Sequence, residues 1–240
     1  NNHHPDQHGL AFLPSNPDIM YSVNDGGVYK TNDNTAEPIQ WTPLNNGYLN
    51  SQFYTIAIDH AQKNNNVIIG GLQDNGTWYT NNTTLNSPWK FLRGGDGSYC
   101  AIADSQKTFY VSSQSGKLVK QKVDASGNVT AFNRIDPIGI KRQDYLFINP
   151  FALDPNNNNI LYLAGDNHLW RNNDLSSIPF AGNWDSISTN WTKIADTTLA
   201  GEQISAIAVC KTPANRVYYG TNKKKLYKVE NASTTATRTD

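Results

Sequence analysis

Five times along this chain a tight polar turn leads into a short aromatic or aliphatic strand. The five segments are residues 24–30, 73–79, 114–120, 166–171 and 222–228; Gln73-Asp74-Asn75-Gly76-Thr77-Trp78-Tyr79 is representative. Measured between Tyr29, Trp78, Val119, Trp170 and Tyr227, the spacing is 49, 41, 51 and 57 residues. Self-similarity at roughly 40–50 residues is the mark of stacked β-units of the propeller kind.

Within each unit the order of signals repeats. An apolar strand comes first, as in Thr55-Ile56-Ala57-Ile58-Asp59 or Cys100-Ala101-Ile102-Ala103-Asp104. A loop of Pro and Asn follows, as in Asp154-Pro155-Asn156-Asn157, which is turn chemistry. A second strand, the tight turn and a third strand come next. A Trp-led fourth strand closes three of the units, at Trp41, Trp89 and Trp191, each behind an insertion. Four antiparallel strands per unit, with no helical period anywhere, predict an all-β fold, a β-propeller of four-stranded antiparallel blades. The blades fall at about residues 8–48, 52–94, 98–135, 148–196 and 202–240 of a single domain, 1–240. The fourth strand after Tyr227 reads as unpaired, and the chain opens abruptly on Asn1-Asn2-His3-His4. Both features point to a portion of a larger ring within a longer secreted polypeptide.

Bulk properties narrow the function classes. Formal charge is zero and charged residues make up 17%, so neither nucleic acid nor an anionic membrane is an expected partner. No apolar run approaches the ~20 residues of a membrane-spanning helix. Three glutamates stand against seventeen aspartates, so carboxylate chemistry here would be aspartate chemistry. Cys100 and Cys210 lie in different units and read as free thiols. No cofactor is expected.

Because successive strands alternate direction, the connections alternate between two faces. The tight turns share one face with the blade-to-blade crossovers. This gathers His4, Asp6, His8, Asp25, Asp74, Asp96 and Asp166, with Gln52, Tyr54, Gln73 and Gly95 beside them. Asp25, Asp74 and Asp96 are the candidate acid/base residues, and the others are candidate ligand contacts. Asp-Gly and Asp-Asn-Gly are also ordinary hairpin-turn sequences. Gly94-Gly95-Asp96-Gly97 is richer in glycine than a crossover needs, which implies close backbone approach to something. His4-Pro5-Asp6-Gln7-His8 has metal-ligand chemistry, but no second His pair accompanies it. It reads as a hydrogen-bonding His/Asp pair, with no metal.

Thr31-Asn32-Asp33-Asn34, Thr80-Asn81-Asn82-Thr83 and Arg171-Asn172-Asn173-Asp174 resemble worn copies of the Asp-box, Ser/Thr-x-Asp-x-Gly-x-Thr-Trp. Through them the chain resembles the BNR propellers of the sialidase-like superfamily, which include xyloglucanase-type glycosidases and sortilin-type receptors. It is most similar to secreted BNR-propeller proteins of Bacteroidetes. The residues that carry this are His4 through His8 with Phe12, Pro14, Asn16 and Pro17, together with Asp25-Gly26-Gly27-Val28-Tyr29, Gly71 through Trp78, and Gly94-Gly95-Asp96-Gly97. The resemblance implies a secreted or cell-surface protein and a structural role for the Asp-box. It also implies a catalytic role for Asp25, because xyloglucanase-type enzymes place an Asp before a Gly-Gly-x-aromatic-basic segment. The arginine triad and Phe-Arg-Ile-Pro-like segment of sialidases have no counterpart. Three functions follow: recognition of a glycan or a surface protein, glycan hydrolysis by aspartates, or a spacer between other domains of the same polypeptide.

Overall fold

The computed structural model describes residues 3–47, 51–63, 65–103, 105, 108–194 and 201–239. It is all-β, 49% strand and 3% helical, and contains five four-stranded antiparallel sheets, the blades of a propeller. The chain divides into two compact units, Asn1–Gln52 and Phe53–Asp240.

The first unit is one blade, with β1 (Gln7–Leu13), β2 (Asn16–Asn24), β3 (Gly27–Thr31) and β4 (Thr42–Pro43) in that spatial order. Its interior is partly polar. Ser22, Asn24 and Thr31 are buried beside Met20 and Trp41, and the His3 ring stacks on Trp41 with centroids 4.2 Å apart.

The second unit holds four blades. They are β5 (Phe53–Ile58) to β8 (Lys90–Arg93) through β6 (Ile68–Leu72) and β7 (Gly76–Thr80), then β9 (Gly97–Ile102), β10 (Phe109–Ser113), β11 (Lys117–Val123) and β12 (Val129–Arg134). The last two are β13 (Phe151–Asp154), β14 (Asn157–Gly165), β15 (His168–Asn172) and β16 (Trp191–Lys193), followed by β17 (Ile204–Val209), β18 (Val217–Thr221), β19 (Leu226–Glu230) and β20 (Thr237–Thr239). Each sheet is a simple meander, strand beside strand in chain order. Three apolar clusters fill the spaces between successive sheets. Ile69, Tyr79, Phe109 and Val111 join the first to the second; Tyr110, Leu118, Leu161 and Leu163 join the second to the third; Tyr162, Leu169, Tyr219 and Val229 join the third to the fourth. Middle strands are covered on both faces, so Phe109-Tyr110-Val111 reads as an apolar run rather than an alternation.

The expectation that the fourth strand after Tyr227 is unpaired is corrected. Strand β20 pairs with β19 through Lys228↔Thr239, Val229↔Arg238 and Glu230↔Thr237. It is three polar residues on a sheet edge, held by backbone bonding, and so carries no apolar signal. Likewise β12 closes its blade without a tryptophan. Strand β9 runs from Gly97 and ends at Ile102, ahead of the expected position, and Asp104 lies outside the described residues. Both cysteines are free.

The worn Asp-boxes repeat one geometry. Asp33 Oδ1 accepts from Thr35 N–H and Thr35 Oγ1, Asn82 Oδ1 from Thr84 N–H, and Asp174 Oδ1 from Ser176 N–H and Ser176 Oγ. These are Asx turns that satisfy loop backbone donors after the third strand.

Candidate functional site

The expected site residues fall into separate groups within the two units. In the first unit, His8 Nε2 hydrogen-bonds Asp25 Oδ1, and Asp25 N–H donates to the Asp6 carbonyl at 3.3 Å. Asp6 N–H donates to His4 Nδ1 at 3.2 Å. One ligand atom from each of His4, Asp6 and Asp25 lies within 4.8 Å of the others, a donor set that could hold a cation. Gln52, at the end of this unit, is exposed.

In the second unit the β6–β7 turn brings Asp74 to the Gly94–Gly97 crossover, where Asp74 N–H donates to Asp96 Oδ1 at 2.9 Å. Tyr54 donates its hydroxyl to Gln73 Oε1. Burial, then the nearby Asp96 and Asp74 carboxylates, hold the Tyr54 phenol above its ordinary range. Asp74 has φ +56°, the left-handed conformation that an Asp turn tolerates. The close approach implied by the glycines is to the chain itself. A Cβ on Gly97 would lie 2.1 Å from the Gly76 carbonyl oxygen and 2.7 Å from Gly71 Cα. Asp166 sits in a two-residue hairpin loop with Asn167 and in an ion pair with Lys193 at 2.6 Å.

Between these elements and the next two blades lies an open cleft of about 430 Å³. Arg93 comes to it from the end of β8, Gly94 and Gly95 from the crossover, and Ser113, Gln114 and Ser115 from the β10–β11 turn. Arg134 ends β12 and Asp136 follows it, and Arg142 and Tyr145 sit on the connection to β13. Gly95 is the one expected ligand contact that lines it, while Gln114 Oε1 accepts the Asp96 N–H at 3.0 Å.

The far wall was not legible as a site in the sequence. The insertion between β15 and β16 runs alongside the edge of β12. Gly182 N–H donates to the Phe132 carbonyl, Arg134 N–H to that of Asn183, and Pro137 bridges Ile187 in parallel. It covers a strand edge that would otherwise be open and sets Trp184, 49% exposed, at the cleft. The only hint was the length of chain before Trp191. The lining carboxylate is clamped: Arg134 Nε and Nη2 donate to the two oxygens of Asp136 at 2.7 and 2.8 Å. Asp136 Oδ1 also accepts from Leu118 N–H, and the residue is 2% exposed.

No family model and no curated protein matches the chain in sequence. Solved structures match its fold. An ancestral GH74 enzyme aligns with TM-score 0.58 and 14% identity, over 97% of this chain and 35% of its own. The GH74 xyloglucanase of Xanthomonas campestris aligns with TM-score 0.54 and 14% identity, over 95% and 37%. A chain from the mitotic checkpoint complex aligns with TM-score 0.51 and 11% identity, over 98% and 64%. The chain thus spans about a third of the length of the two GH74 proteins. Among the described residues no helix is long and apolar enough to cross a membrane.

Proposed function

We propose that this chain is a recognition propeller, exported to the cell surface or medium, whose cleft beside Arg93 and Trp184 binds a glycan. The observation that carries this reading is the lining itself. A half-exposed indole, packed on Phe132 with ring centroids 4.6 Å apart and on Arg93, leaves its remaining apolar surface to a sugar ring, while Gln114, Ser113, Ser115 and Ser186 supply neutral hydrogen-bonding groups around it. The clamped state of Asp136 favours binding over hydrolysis, since an acid/base pair needs two carboxylates set across the scissile bond with protons to exchange. The fold likeness to GH74 enzymes supports a propeller and leaves the chemistry to the site.

The competing reading, hydrolysis by Asp25, Asp74 or Asp96, draws on the approach of Asp74 and Asp96 to Tyr54. A protein ligand and a spacer role are the remaining alternatives. A glycan array run beside a reducing-sugar release screen separates these. Recognition predicts retained glycan without turnover, and loss of retention in Trp184→Ala. Turnover that disappears in Asp96→Asn would establish hydrolysis instead, because the substituted amide still offers an Oδ1 acceptor to Asp74 N–H and the change removes mainly charge.

A further inference from the structure

The cleft carries more positive charge than its own contacts use. Arg93, Lys117, Arg134 and Arg142 line it against the single carboxylate of Asp136. Arg134 is committed: three of its nitrogens donate to Asp136 and to the Trp184 carbonyl, the latter at 3.1 Å. Lys117 and Arg142 are exposed; Lys117 begins β11 and Arg142 lies on the connection from β12 to β13.

Arg93 is the informative member. Its guanidinium carbon lies 4.4 Å from the Trp184 ring centre and 6.0 Å from that of Phe132. Its Nε is buried and, among the described residues, has no hydrogen-bond acceptor. Burial pushes its pKa down to about 10, so it remains charged at neutral pH. A cation placed against two aromatic rings, with a buried donor left unsatisfied, is in a costly arrangement unless something completes it. Cation–π contact returns part of that cost. An oxyanion returns more, because guanidinium geometry matches two coplanar oxygens. A neutral hydroxyl offers one acceptor and no charge.

We propose that the ligand of this cleft is an acidic glycan, whose oxyanion is held by Arg93 with Lys117 and Arg142 while its ring lies against Trp184. This rests on the reading of the cleft as a sugar site and adds the charge of the sugar. The oxyanion could be a uronate carboxylate or a sulfate ester, and the arms of the test distinguish them.

The experiment measures binding of the whole chain to two matched pairs, polygalacturonate against its methyl ester and dextran sulfate against dextran. The expected result is at least tenfold tighter binding of the acidic member of one pair. That preference should collapse in Arg93→Met and, independently, in the surface double variant Lys117→Gln/Arg142→Gln, which leaves the buried contacts intact. A preference for the carboxylate pair identifies a uronate, and one for the sulfate pair a sulfate ester. Equal binding of acidic and neutral members overturns the inference and leaves glycan recognition standing. No binding to any of the four polymers, with an empty array, overturns both. An acidic preference that survives in both variants places the anion elsewhere and sinks the proposal.

Discussion

At the residue scale, two positions show how backbone and side chain divide the work. Gly97 lets β9 cross the Gly71 and Gly76 backbones at van der Waals distance. A methyl group there meets main chain on two sides, and main chain cannot rotate away. Gly97→Ala is therefore expected to destabilise the protein by about 2–3 kcal/mol, within the usual range for overpacking, read as a lower urea midpoint at unchanged slope. Trp184 is the opposite case, a half-exposed side chain whose ring packs on Arg93 and on Phe132 while its outer part faces the cleft. Trp184→Ala should lower the urea midpoint modestly, through those two contacts, while lowering glycan affinity at least tenfold, about 1.4 kcal/mol. If the midpoint falls and affinity holds, the ring is a packing element only.

At the element scale, two of the three worn Asp-box loops are built on an anion, Asp33 and Asp174, and the third on the neutral Asn82. The hydroxyl and backbone N–H of Thr35 hold the Asp33 carboxyl below its ordinary pKa, and the Ser176 hydroxyl and N–H do the same for Asp174. A depressed folded-state pKa stabilises above the unfolded value, about 4 for Asp, and that stability is lost as pH falls through the lower folded value. The wild type should thus lose stability below about pH 4, and Asp33→Asn should flatten the curve there. Lys120, on β11, reports in the other direction. Its ammonium is buried, donating to the carbonyls of Leu175 at 2.9 Å and of Ile178, and burial pushes its pKa down to about 8. The charged form is disfavoured by folding, so its cost is fully present below pH 8 and is relieved as pH rises toward 10.5. Subtracting a Lys120→Met variant from the wild type should reveal a gain on the order of 1–2 kcal/mol across pH 8 to 10. A flat difference would mean that the amine is solvated.

At the scale of the whole molecule, stability is unevenly supplied. The three apolar clusters all belong to the second unit, where Val111, Leu118, Leu161 and Val217 are fully buried. In the first unit the buried set includes Ser22, Asn24 and Thr31, and His3 Nε2 is bonded to Ser22 Oγ at 2.8 Å. Hydrogen exchange is expected to be fastest in β1 to β4 and slowest in β10, β11 and β14. Burial, with His4 nearby, lowers the His3 pKa. Protonation of His3 then opposes folding, so exchange in β1 to β4 should quicken as pH falls below about 6.5. Uniform protection across both units would contradict the division.

What the chain determines by itself is local and periodic. The tight turns, the β-branched and aromatic strands and the Asx loops depend on residues within a few positions of one another, so the blade architecture and most strand positions were legible. The pairing of the polar strand β20 was not, because backbone bonding to β19 holds it and its side chains leave no apolar trace. The acidic turn residues were also visible, and several of them proved to be near one another, as Asp74 and Asp96 are. The cleft was hidden for a different reason. Arg93, Arg134 and Trp184 come from the closing strands of two blades and an insertion of a third, and each alone is an unremarked residue. Only the packing of the insertion along β12 brings the indole over Arg93, because that contact follows from sheets stacking face to face and not from any spacing along the chain.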